Sequence, residues 1–182
     1  MYRNRSQLED AYRAKASLQF LFFWGHQPSR DGRITSSCLS QWWPASFEMN
    51  GLRYPSAEHW MMAEKARLFG DQETASKILA AESPKQAKQF GRGVRGFDPA
   101  IWDREKARIV TEGSKHKFGQ NLALRDFLLS TGSAILVEAS PVDPVWGIGL
   151  AAEDVRASNP LQWGGENLLG FALMEARESL RG

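Results

Sequence analysis

The sequence predicts a mainly α-helical single domain with a few short β-strands, on three observations. From residue 56 onward, most segments open on a helix-capping residue and close near a glycine. Only three short runs have the aromatic or β-branched density of strands. No repeat, low-complexity tract or linker interrupts the 182 residues, a length that lets one domain bury roughly 70% of its unfolded surface.

Residues 1–14 are polar and helix-compatible, so residues 1–17 form a leading helix or arm ahead of a core at about 18–180. Leu18 to Trp24 is an apolar, aromatic run that reads as a buried strand ending at Gly25. A polar loop follows. Phe47 to Tyr54 forms a hairpin about Asn50-Gly51, a pair that tolerates the left-handed conformation of a two-residue turn. Ser56 caps a helix from Ala57 to Phe69, and Asp71 caps the next, to about Glu82. Ser83-Pro84 opens a helix to Phe90, since proline fits the first helical position. Gly91, Arg92, Gly93 and Gly96 mark a loop, and Asp98-Pro99 opens a further helix. Trp102 to Phe118 and Leu122 to Ser130 are helical, divided near Gly119. Ile135 to Glu138 is a strand, Pro141 to Asn159 is largely loop, and Gly165 to Leu180 closes the chain as a helix.

A single cysteine, Cys38, excludes an internal disulfide and suits a reducing compartment. His26, His59 and His116 lack zinc-ligand spacing, so no metal or cofactor is expected, although carboxylates alone could hold magnesium. No segment resembles a signal peptide or a membrane span, and the expected location is cytoplasmic. The net charge of +2 is uneven: residues 85 to 117 hold nine Lys or Arg against four acids, a local +5. Such an excess suits phosphate groups, or is simply a solvated helix face. Seven Trp and ten Phe could fill a core or stack on a base.

The helix from Ala57 carries the most chemistry. Met61, Met62, Leu68 and Phe69 define an apolar stripe, and Glu58 and Lys65 fall within it, two turns apart. A charged pair on a face meant for burial is costly unless compensated. It is either a buried ion pair, with Lys65 reaching back toward Glu58, or a carboxylate and an amine lining a pocket. The pocket reading suits cleavage of a ribose C1–nitrogen bond. A carboxylate stabilises the positive charge developing on the sugar or takes a proton from attacking water. A desolvated lysine could instead attack C1 as a Schiff-base nucleophile.

Asp143-Pro144-Val145-Trp146-Gly147-Ile148-Gly149 occupies the long loop. There Asp143 offers an acceptor for ribose hydroxyls or a second acid, and Trp146 a stacking face. Gly147 and Gly149 let backbone approach a ligand, or merely shape a turn. Arg92 and Arg95, among glycines, could clamp phosphate. Trp102 could stack on a base or anchor its helix. Gly164, Gly165 and Asn167, at the start of the last helix, could hold an anion, or Asn167 could tie down a loop.

These segments in this order resemble the NADAR (NAD and ADP-ribose) family, the YbiA-like N-glycosidases. The resemblance rests on Phe23-Trp24, on Leu39 to Lys65 (LSQWWPASFEMNGLRYPSAEHWMMAEK), and on Trp102, Lys117-Phe118 and Leu136 to Ala139. It continues through DPVWGIG at 143–149 and NLLGFALMEAR at 167–177, and so spans about residues 18 to 180. It implies a compact, mostly helical fold and N-glycosidic hydrolysis. Two substrates are associated with the family: phosphoribosylamino-pyrimidine intermediates of riboflavin synthesis, and ADP-ribose attached to guanine in nucleic acid. The partner implied is thus a nucleotide-like small molecule or ADP-ribosylated nucleic acid, with no membrane and no obligate protein partner. By position Glu58 matches the catalytic glutamate, and Lys65 the lysine of the same helix. Trp102, Asp143 and Trp146 match other proposed site residues, and Trp24 joins the substrate-binding candidates. Gln41 and Met62 depart from the family's usual Asn and Gln, which bears on the substrate more than on the reaction. The alternative is a module that binds NAD or ADP-ribose without turnover.

Overall fold

The structure, a computed structural model, describes residues 2–182. Helix α1 (Arg5–Arg13) is capped by the Asn4 side chain, which accepts from the Gln7 N–H. It is docked through fully buried Leu8 and an Arg5 guanidinium that donates to the Gly165 carbonyl. Strand β1 (Phe20–Phe23) precedes a 3-10 turn at Ser36–Leu39. Strands β2 (Phe47–Met49) and β3 (Leu52–Tyr54) form an antiparallel hairpin pairing Phe47 with Tyr54. Asn50 and Gly51 take φ of 53° and 75°, the left-handed turn that this pair predicts.

Helices follow: α2 (Ala57–Leu68), α3 (Gln72–Leu79), α4 (Pro84–Arg92), α5 (Pro99–Gln120) and α6 (Leu122–Ser130). Ser56, Asp71, Ser83 and Asp98 each accept a hydrogen bond from a first-turn amide, as capping requires. Strand β4 (Ile135–Glu138), a 3-10 turn (Pro160–Gln162) and helix α7 (Leu168–Arg181) complete the chain. β4 lies parallel to β1, with Phe20 opposite Ile135 and Phe23 opposite Glu138. α7 packs on β4 and α5, while α2 sits among α3, α4 and α5.

The central place of α2 changes the meaning of its sequence. Every residue from Ala57 to Ala63 is buried, so the first two turns have no solvent face and the apolar stripe is not a boundary. Packing all round, rather than amphipathicity, takes Glu58 out of water.

Three boundaries also differ from expectation. α4 runs on through Gly91 and Arg92, because Gly91 is a packing residue: a Cβ there would collide with the Met62 sulfur. α5 is unbroken from Pro99 to Gln120, with Gly119 inside it. α7 begins at Leu168, three residues later than predicted, because the preceding residues are held by another loop.

Candidate active site

The C-terminal ends of β1 and β4, the buried turns of α2, the end of α4 and the start of α5 enclose a cleft of about 650 Å³. This size is ordinary for a small-molecule site. Its floor is acidic. Glu58 is only 2% exposed, and its Oε1 is buried with no hydrogen-bond partner. Desolvation pushes its carboxyl up to about 7, against the opposing influence of the Lys88 ammonium and the Trp42 indole; Asp143 pushes it further up. The α2 N-terminus also favours the anion, since Glu58 lies in the first turn.

Glu138, at the end of β4, lines the same cleft, and its Oε2 is likewise buried and unpartnered. Burial raises it to about 8, reinforced by the charges of Asp143 and Glu58. Asp143 completes an acidic trio. Its Oδ1 accepts from the Val145 and Trp146 amides at 2.9 Å each, which fixes the loop and hence the indole of Trp146. Among the described residues no three His, Cys, Asp or Glu side chains form a metal-ligand set.

The walls are aromatic and basic. Trp24, Trp42, Trp102 and Trp146 all line the cleft, Trp24 at the rim with 60% exposure. Lys65 donates to the Gly91 carbonyl at 2.8 Å and lies 4.2 Å from the Phe97 ring centroid and 5.7 Å from that of Trp102. Desolvation lowers its pKa. It makes no ion pair with Glu58 among the described residues, so the proposed reach back along the helix does not occur. Lys88 stands 5.8 Å from the Trp42 ring, and Arg92 is exposed at the rim.

Other candidates lie elsewhere. Arg95 is outside the cleft, its guanidinium bonded to Asp71 at 2.8 Å and Glu73 at 3.1 Å, and that pairing holds Asp71 well below the usual carboxylate range. We therefore expect Arg95→Ala to lower the thermal midpoint slightly and leave cleft activity unchanged, whereas Arg92→Ala weakens substrate binding; melting curves and KM values check both. Gly147 and Gly149 admit backbone rather than ligand: a Cβ on Gly147 would sit 2.8 Å from the Glu138 carbonyl oxygen, and one on Gly149 3.2 Å from Gly164. The supposed anion site before α7 is filled. The amides of Glu166, Asn167, Leu168 and Leu169 donate to the carbonyls of Pro144, Gly147, Val145 and Trp146. Asn167 is fully buried, with its side chain bonded to Glu138 N and Leu136 O. It positions β4 and touches no cleft space.

Sequence reasoning missed Glu138, Lys88 and Trp42 as site residues. A glutamate ending the apolar run ILVE was the available signal, since a strand whose preceding three residues are all buried carries that carboxylate toward the interior. Trp42 is placed indirectly. Buried Lys117 donates at 2.7 Å to the carbonyls of Cys38 and Ser40, pinning the turn that leads to Gln41 and Trp42. Burial pulls this ammonium down to about 7.

Two buried carboxylates facing one aromatic cleft form an arrangement suited to glycoside hydrolysis. The relatives of the chain agree. A family model for the NADAR domain matches residues 22–181, and the chain belongs to that family. It is 44% identical over 165 residues to the N-glycosidase R617 of Acanthamoeba polyphaga mimivirus, covering 88% of this chain and 95% of the viral protein. It is 32% identical over 138 residues to N-glycosidase YbiA of Escherichia coli strain K12, covering 76% of each. The NMR structure of E. coli YbiA superposes with a TM-score of 0.69 at 27% identity, covering 94% of this chain and 91% of that one. The chain is a glycosyl hydrolase of the N-glycosidase type, with the mainly helical YbiA-like fold. No helix among the described residues is long and apolar enough to cross a membrane.

Proposed function

We propose that the cleft cleaves the ribose C1–nitrogen bond of a nucleotide-type substrate, with Glu58 and Glu138 dividing the proton work. The observation that carries this reading is the pair of buried, unpartnered carboxylate oxygens facing one space. As the bond to the base nitrogen breaks, positive charge grows on C1 and the ring oxygen, and ionised Glu58 stabilises it. Water attacks C1 and gives its proton to Glu58, while Glu138, protonated near neutrality, donates to the departing nitrogen. The products are free base and a sugar bearing a C1 hydroxyl. A module that only binds would gain nothing from two such carboxyls, which repel a phosphate-bearing ligand and disfavour burial.

ADP-ribosyl-guanine is the substrate the cleft suits best. Four indoles offer more stacking surface than a single pyrimidine needs, and Lys88 and Arg92 together match a pyrophosphate. Most of the remaining basic segment is spent within the fold: Lys106 pairs with Asp103, Arg108 with Glu105, and Lys117 is buried. Incubation of equal enzyme with ADP-ribosylated guanine in DNA and with phosphoribosylamino-pyrimidines, followed by chromatography of released base, tests the choice. Faster turnover of the pyrimidines would reverse it. Lys65 is without a carboxylate partner among the described residues and is held toward its neutral form, which favours a covalent route as the second reading. Borohydride added to the same mixtures would trap a sugar adduct on Lys65 if its amine replaces the base at C1.

The carboxyl pair also sets a pH signature. Both groups titrate near 4.5 when unfolded but near 7 and 8 when folded, so the native state keeps protons that the unfolded chain releases. Their contribution to stability is greatest below about pH 4.5, declines through the window up to about 8, and is flat above. Asp31 and Asp154, each held near 2 by a neighbouring arginine, act oppositely in acid, and Lys117, whose buried ammonium is pulled down to about 7, adds stability as the pH rises above that value. Activity should rise as Glu58 ionises and fall as Glu138 loses its proton. In Glu138→Gln the alkaline limb should disappear, because the group whose loss of a proton causes it is gone, alongside a reduced maximum rate. An alkaline limb that persists unchanged would show that Glu138 is not the acid.

A further inference from the structure

We propose that a second cavity, at the opposite end of the β1–β4 pair, is a binding site for a phosphate-bearing ligand. It has a volume of about 650 Å³ and shares no lining residue with the catalytic cleft. Its walls come from the residues just before β1 and β4, including Ser17 and Ser133, and from one face of α7. The cleft carboxylate Glu138 lies at the other end of β4, three residues or about 10 Å along the strand.

The carrying observation is Arg177. Its side chain lines this cavity, yet the residue is 98% buried, at 2% exposure, and no carboxylate pairs with it among the described residues. Nη1 is used within the fold, donating to Thr131 Oγ1 at 2.7 Å and Ala134 O at 2.9 Å. Nε is buried without any acceptor, and Nη2 makes no bond to protein among the described residues. These two donors share one edge of the guanidinium, the fork that grips an oxyanion with two parallel hydrogen bonds. A permanently charged group, desolvated and unpaired, is unfavourable unless an anion completes it. Desolvation and the nearby positive charge of Arg181 both act against the Arg177 cation, in the sense that a bound anion would relieve.

The surroundings select phosphate over carboxylate. Tyr2, Ser17 and Ser133 bring three hydroxyl-bearing side chains to the walls beside the free edge of Arg177, while the Arg181 guanidinium is held by Glu178 and the Gly132 carbonyl. These are more donors than the two oxygens of a carboxylate can use, and they suit a tetrahedral group with three or four. Glu178, the one acid among the described wall residues, is spoken for by Arg181 at 2.5 Å. A role for Arg177 in tying the 131–134 turn accounts for Nη1 and leaves the other edge unexplained.

The test is a titration of the full-length protein with inorganic phosphate at constant ionic strength, followed by proton–nitrogen correlation spectra of the arginine Nε–H groups and the backbone. We expect a saturable shift of the Arg177 Nε–H and the Ser133 amide, with the indole signals of Trp42 and Trp102 unmoved. Arg177→Lys, which keeps the charge and loses the fork, should weaken phosphate binding at least tenfold. If that variant does not fold, Ser133→Ala should still weaken it several-fold. No saturable shift of Arg177, shifts confined to the cleft indoles, or saturation by acetate at lower concentration than phosphate would each overturn the assignment.

Discussion

Glu58→Gln should slow release of base by about a thousandfold or more, the scale on which a positioned carboxylate acts as base and electrostatic stabiliser, while making the protein harder to melt at pH 8. The two effects share one origin. At pH 8 the wild-type chain holds an ionised carboxylate at 2% exposure that would titrate near 4.5 in water and does so near 7 in the fold. Removing that charge should raise stability by about 1–3 kcal/mol, or several degrees at roughly 2–4 °C per kcal/mol for a chain of this size. At pH 4.5 the native carboxyl is already protonated, so the gain should vanish. Activity assays and melting curves at the two pH values decide the matter. Full activity would show that Glu58 is neither the base nor the stabiliser of the sugar cation, and a loss of stability at pH 8 would show that its ionised form is not costly to the fold.

Asn167→Ala should be among the most destabilising single changes in the molecule, although Asn167 lies outside the cleft. Its side-chain amide accepts from Glu138 N–H at 3.0 Å and donates to Leu136 O at 2.9 Å. Ile135 and Ala139 direct their amides to β1, so Leu136 and Glu138 face the other edge of β4, which the Asn167 side chain serves as a strand would. Alanine leaves both backbone groups buried and unpaired, and must also adopt the φ of 55° that asparagine tolerates. Together these cost about 3–5 kcal/mol, a fall of roughly 10 °C in the melting midpoint. Asn167→Gly removes the backbone strain and restores neither bond, so it should recover only a minor part. A midpoint within about 2 °C of wild type for the alanine variant would contradict the tie, on the same scale of degrees per kcal/mol.

The two residues mark what could be read from the sequence. The helix starts were legible because Ser56, Asp71, Ser83 and Asp98 are local signals, and so was the Asn50-Gly51 turn. Glu58 was found as a charge out of place, although the stripe used to find it was a weak description of a helix buried on all sides. Glu138 was not found as a site residue. Its position depends on β4 pairing with a strand more than a hundred residues earlier, and no local pattern encodes that register. Gly91 misled in the other direction. A glycine beside an arginine and another glycine reads as loop, while its actual constraint is the Met62 side chain of a helix packed against it. Asn167 and Arg95 misled because donors near glycines suit both ligands and protein carbonyls or carboxylates. Only the fold shows which acceptors are already present.

The parallel partnership of Phe20–Phe23 with Ile135–Glu138 has a bearing on how activity is born. Helical segments in between can form from near neighbours, but this pairing closes a loop of more than a hundred residues, a slow event in entropic terms. Glu138 meets Glu58 only after that closure. On the proposed division of proton work, the chemistry of this enzyme is thus withheld until the two distant portions of the polypeptide have met, because a half-assembled chain, however helical, lacks one of its two carboxyls at the cleft.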